Sequence, residues 1–495
     1  MKLLQIKQWT CNMRASISVA MALLITVLFS FPLVLIESSR EQVMLLQAYI
    51  ALDNSTQSTL AEYQDTLWEE YDILVIDSGY RQDEDAEVLV AERLEEYASY
   101  NLGGDLINSL ILRDDWLHMT IDDLSIDETL YISDYQGYIC YQAIVNAQKR
   151  AYGVDYLEEL VDWATAAEQI QLQASAVEAD KLEVEEGFSQ YFSDLERQET
   201  EAILGENSDE VEQEEEVALE NPLTGLNISF ILQYVLGENY DGTQFDSIEA
   251  QEFFSQRISA RNEGSMSISN QEYSVIDNTL FIQYLLEHMS YYAAETDSDL
   301  YELEYILIGE DSNYTNLQGV INQILVLREI DNYLCLLQDS MTVAQVKSIS
   351  TTLTTIAQVP YMEPILTQAI LLGWAYVESV NDVKTLMSGG RVALTKSIDF
   401  ISSSVEEVFS GLDINTSDSV IEGLSYKEYL MILCYLEGPK QMMLRTLDIM
   451  ESTTRKSISD GEFYIDDCLV QYEATMRFED VYNKTYEVDK VAAYY

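Results

Sequence analysis

The chain has 495 residues, 47% of them hydrophobic, and a formal net charge of −61 from 87 acidic and 26 basic side chains. That balance excludes a phosphate-reading surface, which needs clustered Lys and Arg, and also a domain lying flat on an anionic bilayer. The apolar content is ordinary for folded protein, and length alone predicts about two to four domains. A solvated, self-repelling surface explains the acid better than divalent-cation loading, because no EF-hand loop of the D-x-[DN]-x-[DN]-G type occurs.

The first element is an uncharged run, Ala15 to Ile36. As a helix its length is about 33 Å, enough to cross a hydrocarbon core. A secretory signal has a shorter apolar region and a small-residue cleavage site, which "LVLIESSR" does not supply. The run therefore reads as a retained anchor, with Pro32 as a tolerated kink point. Lys2, Lys7 and Arg14 precede it without an acid, so the N-terminus is expected in the cytoplasm and residues 37–495 outside the cell. Within the run, Ser16, Ser18, Ala20, Ala22, Thr26 and Ser30 make a small-residue stripe on which another helix would pack closely. Ala22 and Thr26, with Glu37 and Arg40 at the outer boundary, are the candidate interface residues. Glu37 and Arg40 either pair with each other or set the register against a partner.

No Gly or Pro interrupts residues 37–78, and Leu60, Tyr63, Leu67 and Tyr71 share a helical face, so the anchor is expected to continue as a stem. "YDILVID" reads as a short strand. Residues 116–132 alternate at first, Leu117, Met119 and Ile121 against Trp116, His118 and Thr120, which is a strand pattern. "YQGYICYQAIVNAQKRAYG" reads as a helix ending at Gly153. Residues 154–200 read as one or two long helices, with a hairpin turn near Gly187. The stretch from Asp194 to Pro222 then holds 12 acids and one base, Arg197, and reads as a linker.

Beyond Pro222, helical patterns recur at 279–292, 317–339, 343–358, 361–388 and 425–456. "YELEYILIG" (301–309) looks like a strand. Cys468, Val470, Tyr472, Ala474, Met476 and Phe478 alternate with polar neighbours, a half-buried strand to which "KTYEVDKVAAYY" returns as a hairpin partner. The resulting organisation is a cytoplasmic tail (1–14), a transmembrane helix (15–36), a stem with a membrane-proximal α/β region (37–153), long helices (154–200), an acidic linker (201–221) and a C-terminal α+β domain (222–495). The fold class is α+β: a single N-terminal transmembrane helix continuing into a stem, then a helix-rich exported region with short antiparallel sheets.

Catalytic patterns are absent from the sequence: no HExxH, GxSxG, P-loop or GxGxxG before a helix. Asp114, His118 and Asp122 would stack only on a helix, which the strand pattern breaks. Paired acids such as Asp122/Asp123 and Asp466/Asp467 suit glycoside hydrolysis in spacing, but 87 acids produce such pairs by chance. His288 reads as a packed residue. Cys140, Cys335, Cys434 and Cys468 each sit in an apolar setting and read as small core residues. Neither a catalytic residue nor a cofactor or metal site is expected, and the chain reads as no enzyme.

The segment from Ala15 to Asp77, with Glu37, Arg40, Ala51, Asp53, Glu62, Tyr63, Leu67 and the "EEYDILVID" strand, resembles a family of uncharacterised membrane proteins of Gram-positive bacteria. So do "YELEYILIGEDSNYTNLQGVINQILVLREIDN", "LLGWAYVESVNDVKTLMSGGRVALTK" and "LSYKEYLMILCYLEGPKQMMLRTLDIMESTTRK". That family is associated with tight-adherence (Flp/Tad) pilus assembly. Gln47, Ala48, Ala51 and Asp53 are also similar to the stem of TadE/TadG-type proteins. The resemblance implies an exported, membrane-anchored, non-enzymatic pilus or secretion component whose partners are other assembly or membrane proteins. Ala15 stands where a processed pilin has Gly, and Glu37 lies at the far end of the run, which favours a retained anchor over pilin-type cleavage. The alternatives are a surface sensor or adhesion ectodomain binding a peptide, glycan or calcium, and a carboxylate-dependent surface hydrolase.

Overall fold

The computed structural model describes residues 2–80, 86–103, 119–151, 157–205, 219, 221–223, 235, 253–268, 270–292, 301–410, 423–458 and 463–495. Lys2–Leu60 is one helix, passing through Pro32 without a break in its assignment. A helix of this length extends about 88 Å. From Ile17 its apolar window is long enough to cross a membrane and none of that window is buried by protein. The stem predicted beyond it is the same helix, up to Leu60. The chain is α+β: mostly helical, with one antiparallel sheet of four strands among the described residues.

The chain divides into two units, interleaved in sequence. The first comprises residues 1–134, 259–269 and 453–495. Its sheet is built on β3 (Cys468–Glu479), which pairs antiparallel with β1 (Ile76–Asp77), β2 (Thr120–Tyr131) and β4 (Thr485–Ala493). The alternation read in β3 holds: Tyr472, Ala474, Met476 and Phe478 are fully buried. They share a core with Met44, Ala48 and Leu52 of the stem and with Val90, Leu94 and Ala98 of the helix Ala86–Gly103. Both helices present residues at i, i+4 and i+8, the same-face spacing of an α-helix.

The second unit comprises residues 135–258 and 270–452. Its core joins Val184, Phe188 and Tyr191 of the helix Leu157–Gly205 to the helices Asn313–Gln338, Ser340–Ile356 and Glu363–Met387. The helical pattern read at 361–388 is the helix Glu363–Met387, buried along most of its length.

Several expectations change. Residues 301–309 are not a strand. Glu302–Ile308 is a helix with six of its seven residues buried. Leu303, Ile306 and Leu307 fall at i, i+3 and i+4, and periodicity alone does not separate a short buried helix from a strand. No hairpin forms at Gly187, because Leu157–Gly205 runs through it as one helix. Gly187 serves close packing instead: a Cβ there would lie 2.6 Å from Ile365 Cδ1. Most of "YDILVID" is not strand either, since Asp65–Tyr71 is helical and Asp72 turns the chain through a left-handed conformation (φ 55°). The 425–456 pattern is two helices, Tyr426–Glu437 and Pro439–Ser457, parted by Gly438 at φ +85°. Residues 222–495, read as one domain, contribute 259–269 and 453–495 to the first unit and the remainder to the second. Most of the acidic linker, and residues 116–118 of the strand pattern, lie outside the described residues.

The contact at Gly187 gives a direct check. Gly187→Val puts a side chain into Ile365 and is expected to destabilise the second unit by about 1–3 kcal/mol, the usual cost of overpacking. Thermal unfolding followed by near-UV circular dichroism measures it.

Candidate functional site

The predicted interface residues separate into two groups. Ala22 and Thr26 lie on the exposed apolar stretch of Lys2–Leu60, where the Thr26 hydroxyl donates to the Ala22 carbonyl at 2.8 Å. Glu37 and Arg40 do pair, at 2.9 Å, and the same Arg40 nitrogen also donates to Asp480 at 2.9 Å. Arg40 is buried, so this guanidinium is committed within the chain. It joins the foot of the stem to the tip of the β3–β4 hairpin.

The hairpin is shaped for that contact. Asp480 Oδ1 accepts the backbone N–H groups of Tyr482 and Lys484, and Asn483 takes φ 56°, a three-residue loop of common type. Burial works against the Asp480 charge, but those N–H groups and Arg40 hold its carboxyl below the usual range. Further along the stem, Lys484 pairs with Glu41 at 2.7 Å and Lys490 with Asp53 at 2.8 Å. The Tyr494 hydroxyl donates to the Leu60 carbonyl. The register therefore runs from Arg40 to Leu60 beside β4.

In the second unit, two segments that carry the family resemblance converge on one buried charge cluster. Arg328, fully buried, donates to Asp382 (3.0 Å), Asp331 (3.0 Å), Asn332 (3.2 Å) and the Leu394 carbonyl (2.8 Å). Lys396 reaches Asp382 and Glu378, both at 2.5 Å. Glu378 also accepts from Ser403 through its N–H (2.8 Å) and hydroxyl (2.7 Å). Burial opposes ionisation of Glu378, yet the Lys396 charge and these donors hold it below its ordinary value. Asp331 goes the other way, burial outweighing Arg328. Asp382 and Glu378 commit both carboxylate oxygens inside the cluster. The chemistry available here is to pin the loop 388–404 onto the helices 313–338 and 363–387.

Glu304 differs. It is fully buried and accepts from the Tyr426 hydroxyl (2.6 Å) and the Tyr292 N–H (3.0 Å) through Oε1 alone, while Oε2 has no hydrogen-bond partner. Burial, only partly offset by those donors, pushes it up to about 7. The second unit also carries an apolar groove of about 370 Å³ lined by Ala174, Val326, Ile330, Leu433 and Leu436, with Asn322 and Glu437. Glu437 is the single ionisable group among the described residues of its lining.

The other candidates are placed as follows. Asp114 and His118 lie outside the described residues. Asp123 pairs with Arg477 across β2 and β3 at 3.0 Å. Asp466 accepts the Arg261 N–H and Asp467 the Asn262 side chain, each at 2.7 Å, so this pair holds the 259–269 segment. His288 ends its helix with its ring 4.3 Å from that of Tyr284. Cys140, Cys335, Cys434 and Cys468 are buried and not joined in disulfides, and the Cys468 thiol donates to the Tyr464 carbonyl at 3.9 Å. No group of three or more metal-ligating side chains occurs among the described residues.

A model of a family of unknown function, DUF5702, matches residues 209–480. The chain belongs to that family. The match takes in the buried charge cluster and Glu304, and reaches Asp480 at the hairpin tip. No curated protein and no solved structure matches the chain. What sequence reading missed in this DUF5702 protein is the Arg40–Asp480 pair. The local signal was a turn, "EDVYNK", whose acid faces a residue 440 positions away.

Glu304 makes stability depend on pH with a definite sign. Its folded value is raised from 4.5 to about 7, so its contribution is full below about 4.5 and is lost as pH rises to about 7. The expected loss is about 3 kcal/mol. Glu304→Gln should remove that slope and be the more stable form at pH 8, as urea unfolding at pH 4.5, 6 and 8 would measure. A parallel slope in both proteins would contradict it.

Proposed function

We propose that this protein is a membrane-anchored, exported, non-enzymatic component of a tight-adherence pilus or secretion apparatus of Gram-positive bacteria, acting as a pseudopilin-like or assembly subunit. The observation that carries the reading is the continuity of Lys2–Leu60. One helix leaves the apolar run and enters a folded unit, and its outer face stays apolar. Ile36, Val43 and Ile50 recur every seven residues and are 62%, 41% and 48% exposed, with Leu46 at 60%. Heptad-spaced apolar residues on an unpacked helix face are the pattern that packs against further helices. Ala22 and Thr26 continue it into the bilayer, where small residues permit close approach. The excess of Lys and Arg before the apolar run supports an N-terminus in the cytoplasm with the folded units outside. A second reading, a surface sensor or adhesion ectodomain, draws on the apolar groove beside Val326 and Leu433.

Two measurements test the first reading. Protease added to intact protoplasts should remove nearly all of the chain beyond Glu37, and full protection would reverse the orientation. A photo-crosslinking residue in place of Leu46 should capture neighbouring assembly subunits. Changing Ala22 and Thr26 together to Leu should abolish that capture while leaving membrane insertion intact. Capture unchanged by the pair of substitutions would remove the anchor interface and bring the sensor reading forward.

A further inference from the structure

The tip of the β3–β4 hairpin carries exposed apolar surface that the fold does not use. Val481 is 47% exposed and Tyr482 72%. The hairpin also holds that tip at a defined height on the stem. Lys484 meets Glu41, Lys490 meets Asp53 and Tyr494 meets Leu60. A strand advances about 3.3 Å per residue and a helix about 1.5 Å, so β4 and residues 41–60 cover matching lengths of about 28–30 Å. Beyond Lys484 the chain turns, with Asn483 at φ 56°, and Asp480 of that turn pairs with Arg40, which is one residue nearer the anchor than Glu41 and four residues from Ile36. Independently, the Arg40 guanidinium carbon lies 5.3 Å from the Tyr482 ring centre. Ile36 is the last residue of the uncharged run.

We propose that the hairpin tip, Val481 to Lys484, lies in the headgroup layer of the bilayer crossed by Lys2–Leu60, as a second membrane contact of the folded unit. The inference rests on the anchor reading above. A tyrosine has an apolar ring and a polar hydroxyl, and such side chains concentrate at the depth where hydrocarbon meets headgroups. Val481 adds apolar surface beside it. The four tip residues carry one charge, on Lys484, and that charge is already paired with Glu41. The contact is therefore apolar and interfacial, which a chain of net charge −61 tolerates because it needs no anionic lipid. With Arg40 clamped between Glu37 and Asp480, the stem is held to the membrane at two points and its tilt is restricted.

Depth-resolved quenching tests this in the full-length protein reconstituted into phosphatidylcholine vesicles. An environment-sensitive fluorophore is placed on a new cysteine at Tyr482, at Leu28 within the apolar run, or at the exposed Glu69 of the helix Asp65–Tyr71, with wild type as background. The Tyr482 label should emit to the blue of the Glu69 label and lose intensity with a headgroup-positioned spin-labelled lipid, at low and high salt alike. The Leu28 label should respond to an acyl-chain-positioned quencher. Quenching at Leu28 with none at Tyr482 would overturn the proposal and leave the anchor standing. Quenching at neither would remove the anchor and the proposal with it. Disulfide-linked dimers through Tyr482→Cys in place of lipid quenching would assign the tip to a second copy and overturn it.

Discussion

The first unit depends on one ionic contact between the two ends of the chain. Arg40, at the foot of the stem, is shared between Glu37 on its own helix and Asp480 in the C-terminal hairpin. Removing the Arg40 guanidinium would leave the buried Asp480 carboxylate without its cation, so the three groups act together. Around this contact, the hairpin lies along the stem and the shared core forms from Met44, Ala48, Leu52, Tyr472, Met476 and Phe478. Besides the nearby helix Ala86–Gly103, the N-terminal helix therefore finds packing partners, such as Tyr472 and Phe478, more than 400 residues later in the chain. Contacts so distant in sequence make for slow assembly, because the loop is closed before they form.

The same economy of cations appears throughout. With 26 basic residues against 87 acidic ones, each positive charge placed inside the fold matters. Arg328 and Lys396 neutralise Glu378, Asp331 and Asp382 in the second unit, while Lys484 and Lys490 fasten β4 to the stem. Glu304 is buried without a cation, and exposed acids such as Glu69 and Glu96 face solvent. That distribution keeps the protein soluble and self-repelling. Among the described residues, exposed apolar surface includes the N-terminal apolar run, the outer face of the stem, the hairpin tip and the groove beside Val326.

What the sequence made legible followed from local periodicity. The uncharged run from Ala15, the alternation of Cys468–Phe478 and the apolar spacing of 361–388 each specified an element whose burial matches its pattern. Where local pattern was ambiguous, tertiary packing decided. The 301–309 segment is buried on nearly every side, which erases the difference between strand and helix. Gly187 looked like a turn because glycine usually marks one, but here it admits Ile365. The candidate interface was only half legible. Glu37 and Arg40 announced an ion pair one turn apart, while Asp480 carried no sign in its own neighbourhood that Arg40 would reach it. The interleaving of the units was hidden for the same reason, since a strand that is plain in sequence does not name its partner.

The central claim is that the Arg40–Asp480 pair couples the stem to the C-terminal hairpin. A double-mutant cycle measures it most directly, with Arg40→Met, Asp480→Asn and the double variant of the full-length protein unfolded in detergent micelles. The account predicts that the losses are not additive, with a coupling energy above about 1 kcal/mol. Hydrogen exchange should quicken together in residues 41–60 and 468–493 of each variant. Additive losses, or faster exchange confined to the hairpin turn, would contradict it.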